Sequence, residues 1–207
     1  MSDSDRIIAI GRACGVTLDA RQVEQLLDFR SLLASEGIQT GGIGPNEANR
    51  LIDRHIGDSL AYLLGIREGA GAILDIGSGI GLPGIPLAVA RPDESVVLLD
   101  RSQRRSDVAK RGVRLLGLQN VTTRTQEIAE VRERYPVLTF RASLPVPEAA
   151  LVASRLLEPG GSAVFGLSRR RKMPEVPDPP EGVRFDVSCE LDGILDSPFW
   201  LLRMTTT

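Results

Sequence analysis

The stretch ILDIGSGIGLPGIPLAVA, residues 73–90, constrains the fold more than any other part of this chain. A short apolar run carrying one acid, Asp75, breaks into alternating glycines and then resumes as an apolar segment. That is the pattern of a buried strand, a tight turn and a buried helix. Gly77, Gly79 and Gly81 can take positive φ and keep side chains off the main chain, so a ligand can lie directly against the backbone. In a doubly wound sheet the first such turn sits at the C-terminal ends of the strands, where ligands bind. Amides opening the next helix favour an anionic or carboxylate group there.

The rest of the chain supplies the sheet. Residues 17–36 read as an amphipathic helix with Val23, Leu26, Leu27 and Leu33 on one face. A flexible loop follows, and residues 47–64 read as a second helix with Leu51, Ile52, Ile56, Leu60 and Leu63 as its stripe. Beyond the glycine turn, strands are expected at 95–100, 120–125, 137–143 and 162–167. Helices are expected between them at 102–116, 128–134 (a short one) and 147–157. Residues 173–182 are proline-rich and read as loop. Residues 184–191 and 199–205 read as a closing antiparallel pair. Repeated βα units imply an α/β fold with a mostly parallel sheet covered on both faces. With 207 residues, one domain is expected, with a helical cap over residues 1–66 and a core over 67–207.

Two nucleotide ligands fit the glycine turn. Gly79-x-Gly81-x-x-Gly84 matches a dinucleotide fingerprint, which alone is a weak signal. Asp75, two residues before the first glycine, suits a ligand bearing an ammonium group, as S-adenosylmethionine does. Asp100 ends the second strand, where an acid can accept both ribose hydroxyls of either ligand. Gln126 and Glu127, after the third strand, could frame an adenine.

The motifs RHIGDSL (54–60), LDIGSGIGLPGIPLA (74–88), LLD (98–100), LGLQNV (116–121), FRAS (140–143) and LLEPGG (156–161) occur in the order of one family. They resemble the bacterial guanine-N7 methyltransferases of 16S ribosomal RNA, RsmG or GidB. The resemblance implies a Rossmann-like class I methyltransferase fold with S-adenosylmethionine as donor. Carried over by position, it implies that Gly77 and Leu82 line the donor and that Gln126 and Glu127 hold the adenine. With the residues read from the turn and strand ends, the candidate donor-binding set is Asp75, Gly77, Ser78, Gly79, Gly81, Leu82, Asp100, Arg101, Gln126, Glu127 and Arg141. Arg141 would also meet the methyl group and the target base. His55 and Asp58, with Arg54 and Ser59, would cap the same cleft, and Arg141, His55 and Asp58 are the candidate catalytic residues. The chain departs from the family's pattern at residues 35–53, at Pro136, at Ser143-Leu144-Pro145 and at Ser168, mostly on the acceptor side. Another RNA or small-molecule acceptor, or a non-catalytic binding paralogue, are the alternatives.

Guanine N7 is an unprotonated lone pair, so alignment rather than a general base is what such a transfer asks of the protein. Arg141 can donate to guanine O6 or a phosphate, or stack on the ring. Spacing allows His55–Asp58 and Arg54–Asp58 to meet on one helix face. A formal charge of −2 leaves nucleic-acid binding to local clusters. Two stand out, Arg101–Arg114 (Arg101, Arg104, Arg105, Lys110, Arg111, Arg114) and Arg169–Lys172, as contacts for 16S rRNA or the 30S subunit. One histidine and two distant cysteines make no metal site. Cys14 and Cys189 are expected as buried, reduced thiols. No apolar run reaches a membrane-spanning length and no signal-peptide core opens the chain. A cytoplasmic, monomeric protein is expected.

Overall fold

The computed structural model describes residues 1–169 and 171–206. Seven strands form one sheet in the order β3-β2-β1-β4-β5-β7-β6. They are β1 (Ile73–Ile76), β2 (Val96–Asp100), β3 (Val121–Thr125), β4 (Tyr135–Arg141), β5 (Leu157–Ser168), β6 (Val183–Glu190) and β7 (Phe199–Thr206). The first five run parallel; β7 lies antiparallel between β5 and β6. Every residue of β1 is buried, as a strand covered on both faces must be. Burying each such aliphatic side chain stabilises the fold by about 1.5–3 kcal/mol.

The helices are α1 (Asp3–Ala13), α2 (Ala20–Leu32), α3 (Asp58–Ala61), α4 (Gly84–Ala90), α5 (Gln103–Leu115) and α6 (Val146–Leu156). Capping sets several of their starts. Asp19 accepts the amide of Gln22 while the Gln22 side chain returns a bond to the Asp19 amide, so α2 begins three residues later than the apolar pattern suggests. The same reciprocal box joins Ser2 and Asp5 at the start of α1, a helix the sequence reading left out. One apolar cluster runs from Ile7, Leu26, Phe29, Ile56 and Leu60 to Ile73, Ile85 and Val108, binding the N-terminal helices to one face of the sheet. A second cluster, centred on Leu138, Ala153, Phe165 and Leu202, fills the other face.

Two helix expectations need correction. The segment expected as one helix over 47–64 is a chain of short turns: a 3₁₀ turn Pro45–Arg50, a π-helical turn Ile52–Gly57, α3, and a 3₁₀ turn Tyr62–Gly65. Its apolar stripe is buried all the same, because one stripe fits several helical pitches. The short helix expected at 128–134 is a 3₁₀ turn over Ile128–Glu130 only. The cysteine expectation holds for one residue: Cys14 is buried, and burial pushes its thiol up to about 12, whereas Cys189 is exposed on edge strand β6. Among the described residues, no helix is long and apolar enough to cross a membrane.

Candidate active site

The C-terminal ends of β1, β2 and β4 meet at the glycine turn. Gly77, Gly79 and Gly81 have φ of 71°, 56° and 102°, the left-handed region that a β-carbon disfavours. Two crevices flank the turn. One, of about 350 Å³, is lined by Gly77, Asp100, Arg101, Arg105, Gln126, Glu127 and Ser143, among others. The other, of about 220 Å³, is lined by Gly42, Ser78, Gly79, Ile80, Leu82 and Arg141, among others. Gly77, Arg105 and Ala142 line both. A roof over the second comes from residues 37–43, where Ile80 packs so closely on Gly42 that a β-carbon there would lie 2.7 Å from it.

Asp75 is not a ligand-facing acid. It is fully buried below the turn, with Oδ2 accepting the Gly84 amide at 2.8 Å and Oδ1 accepting the Thr139 hydroxyl at 2.9 Å. Burial outweighs those bonds and pushes its carboxyl up to about 7. The strand's alternation explains the correction. Asp75 points into the layer between β1 and α4, and only Gly84 leaves room for it, since a β-carbon there would lie 2.8 Å from its Oδ2.

Asp100 does stand at the crevice wall, 4% exposed. Its Oδ2 accepts the Gly79 amide at 2.9 Å, and its Oδ1 accepts the Ser102 amide at 2.8 Å and Arg105 Nη2 at 3.2 Å. A carboxylate offers about four acceptor positions. One therefore remains on Oδ2, and a second opens on Oδ1 when Arg105 lets go. Arg105 is the residue the sequence reading missed as part of this site, having counted it only in a basic cluster. Ser102 caps α5, which places Arg105 three residues into the first turn, beside the strand end. Gln126 and Glu127 line the same crevice, Glu127 on the exposed rim. Ala142, at φ 51°, and Ser143, whose β-carbon packs on Gly77, were also missed; among the described residues the buried Ser143 hydroxyl has no partner.

Arg141, His55 and Asp58 are paired differently from the spacing argument. Arg141, at the end of β4, donates through Nη2 to the Arg54 carbonyl at 3.0 Å and to His55 Nδ1 at 2.9 Å. Among the described residues it forms no direct ion pair, though its charge bears on the buried Asp58 and Asp75. Asp58 pairs with neither Arg54 nor His55. Its two oxygens bind Arg169, with Nε at 2.8 and 3.0 Å, and both side chains are 7% exposed. The two nearer residues face other partners: Arg54 Nε lies 3.6 Å from Asp196 Oδ2, and His55 Nδ1 accepts from Arg141. Arg169 also donates to Asp196 at 2.5 Å and packs over the Phe199 ring. Neither His55 nor Asp58 lines a crevice, so the expected pair of catalytic side chains is set back behind Arg141.

The basic clusters are thinner than the sequence suggests. Arg169 is consumed by Asp58, Arg170 lies outside the described residues, and Arg171 and Lys172 are exposed. On α5, Arg111 pairs with Glu36, Lys110 with Asp107, Arg105 with Asp100, and Arg104 donates to the Gln39 carbonyl. Arg101 and Arg114 remain exposed.

The fold and the sequence have known counterparts. A crystal structure of a SAM-dependent methyltransferase from Aquifex aeolicus superposes with a TM-score of 0.59 over 80% of this chain and 97% of its own, at 15% identity, so the shared property is the class I fold. A ribosomal RNA small subunit methyltransferase G from Acidothermus cellulolyticus is 41% identical over 131 residues, 62% of this chain and 58% of that protein. The Mycobacterium leprae protein of the same description is 43% identical over 138 residues, 64% of this chain and 56% of its own. The chain thus spans little more than half the length of the relatives it matches. The family model described as GidB, rRNA small subunit methyltransferase G, matches residues 22–172, which include the roof, both crevices, Asp100, Arg141 and Asp58. With the glycine turn, its roof and the arginine at the end of β4 all inside that match, the chain belongs to the GidB family.

Proposed function

We propose that the chain transfers a methyl group from S-adenosylmethionine to N7 of a guanine in 16S ribosomal RNA, in the cytoplasm. The observation that carries this reading is the meeting of two unlike crevices at Gly77. One ends in the Asp100 carboxylate and the Gln126–Glu127 rim; the other ends in the Arg141 guanidinium, held by a carbonyl and an imidazole.

The residues fit the donor. A β-carbon on Gly79 would find nothing closer than 3.8 Å, so the main chain is open there, and Asp100 keeps acceptor capacity for ribose hydroxyls. The donor, when bound, supplies a methyl carbon made electrophilic by its sulfonium. Asp100 would hold the ribose, Gln126 and Glu127 would frame the adenine, and the turn amides would face the amino-acid end. Arg141 would orient the acceptor base through O6 or an adjoining phosphate. Because N7 carries no proton to remove, the chain needs no general base, and none lines the second crevice.

The test is incubation of the purified chain with labelled donor and 30S subunits from cells lacking this modification, followed by nucleoside digestion. Label in 7-methylguanosine is expected. Donor binding with label in no ribosomal nucleoside would overturn the acceptor assignment.

A further inference from the structure

Arg141 reaches the second crevice already oriented, and the groups that orient it lie on the π-helical turn. Both acceptors of its Nη2, the Arg54 carbonyl and His55 Nδ1, are neighbours there. A guanidinium has no acceptor of its own. Nδ1 is therefore the lone-pair nitrogen of the ring, and the ring proton sits on Nε2. The far side of the ring agrees. Among the described residues Nε2 is buried without a hydrogen-bond partner, and it faces Glu47 Oε2 at 4.0 Å, a carboxylate that favours an N–H over a lone pair. Burial, with Arg141, Arg169 and Arg54 close by, holds the ring well below its ordinary protonation range, at about 3. The ring lines neither crevice, so it acts through Arg141 and not on a ligand.

We propose that His55 is a positioning residue: its neutral ring, protonated at Nε2 and backed by Glu47, holds Arg141 by one nitrogen and leaves the rest of the guanidinium facing the acceptor side of the glycine turn. The proposal rests on the acceptor role given to Arg141 above. Glu47, on the 3₁₀ turn Pro45–Arg50, enters the site only through this chain of contacts.

His55 is the only histidine, so its ring gives a single pair of nitrogen-15 resonances. At neutral pH an unprotonated Nδ1 and a protonated Nε2 are expected, and Arg141→Met should shift the Nδ1 resonance. An Nδ1–H tautomer, an imidazolium, or an Nδ1 resonance indifferent to Arg141→Met would overturn the proposal whether or not methyl transfer is seen. A second measurement uses transfer to 30S subunits. His55→Asn keeps an acceptor at the δ position; His55→Ala has none. His55→Ala should lower kcat about tenfold or more with donor affinity within about twofold, and His55→Asn should restore it to within about threefold of wild type. Equal losses in the two variants, at matched melting temperatures, would also overturn it. The expected tautomer and shift in a chain that methylates no RNA would support the positioning role and sink the acceptor assignment instead.

Discussion

Gly84 donates its amide to Asp75 Oδ2 across a gap that admits no side chain, tying the helix after the glycine turn to the strand before it. A β-carbon on Gly84 would lie 2.2 Å from Leu98 Cδ2 as well as against that carboxylate. Gly84→Ala is therefore expected to destabilise the chain by about 1–3 kcal/mol, the usual cost of overpacking a filled core. Urea unfolding measures it, and an unchanged midpoint would refute the packing account.

The same carboxyl makes stability depend on pH. Its folded pKa of about 7 lies above the ordinary value of 3.8, so the folded chain holds this proton more tightly. The contribution is complete below pH 3.8 and is lost as pH rises through 7. Asp75→Asn keeps an acceptor for Gly84 and a partner for Thr139 but does not titrate. The variant should show a flatter fall in unfolding free energy between pH 4 and 7 than the wild type, by parallel urea titrations.

Asp100→Ala should weaken binding of S-adenosylhomocysteine by about tenfold or more, since it removes the ribose acceptors and a hydrogen bond to a charged group contributes about 1.5–3 kcal/mol. Arg105→Ala should act in the opposite direction. Its ion pair with Asp100 is 42% exposed on the arginine side and must open for both ribose hydroxyls to be accepted. Such pairs contribute about 0–1 kcal/mol, so a gain of up to about fivefold is expected. Calorimetry on both variants separates the two; a loss on Arg105→Ala would make Arg105 a ligand contact.

Arg169→Ala tests whether this arginine serves the fold or RNA. It leaves the Asp58 carboxylate buried without its partner, which costs about 3–5 kcal/mol. A large drop in melting temperature is expected, with Asp58→Asn in the same chain recovering part of it. A variant of unchanged stability and weaker, less salt-sensitive RNA binding would return Arg169 to the nucleic-acid surface.

The glycine-turn side of the site was legible because its parts are short-range. A strand, three glycines and an acid at the next strand's end are each local patterns with one structural solution, and Gly77, Gly79 and Asp100 stand where spacing put them. The Arg141 side was not, because its contacts join residues far apart in the chain. Asp58 meets Arg169 across 111 positions, and His55 meets Arg141 across 86. Counting along a helix offered nearer partners, but Arg54 turns to Asp196 and His55 to Arg141. Asp75 was misplaced for a different reason: an acid in an apolar strand looks functional, while the amide and hydroxyl that satisfy it are invisible until the layers are packed.

Ile80 sits wedged between the glycine turn and the roof, against Gly37 and Gly42. Turn and roof are therefore joined through Ile80, and a ligand settling onto the turn is expected to register at residues 37–43, where the amides of Gly42 and Ile43 donate to the Gly37 carbonyl at 3.0 and 3.1 Å. Deuterium uptake at those two amides becomes a built-in gauge of crevice occupancy, readable before any acceptor has been supplied.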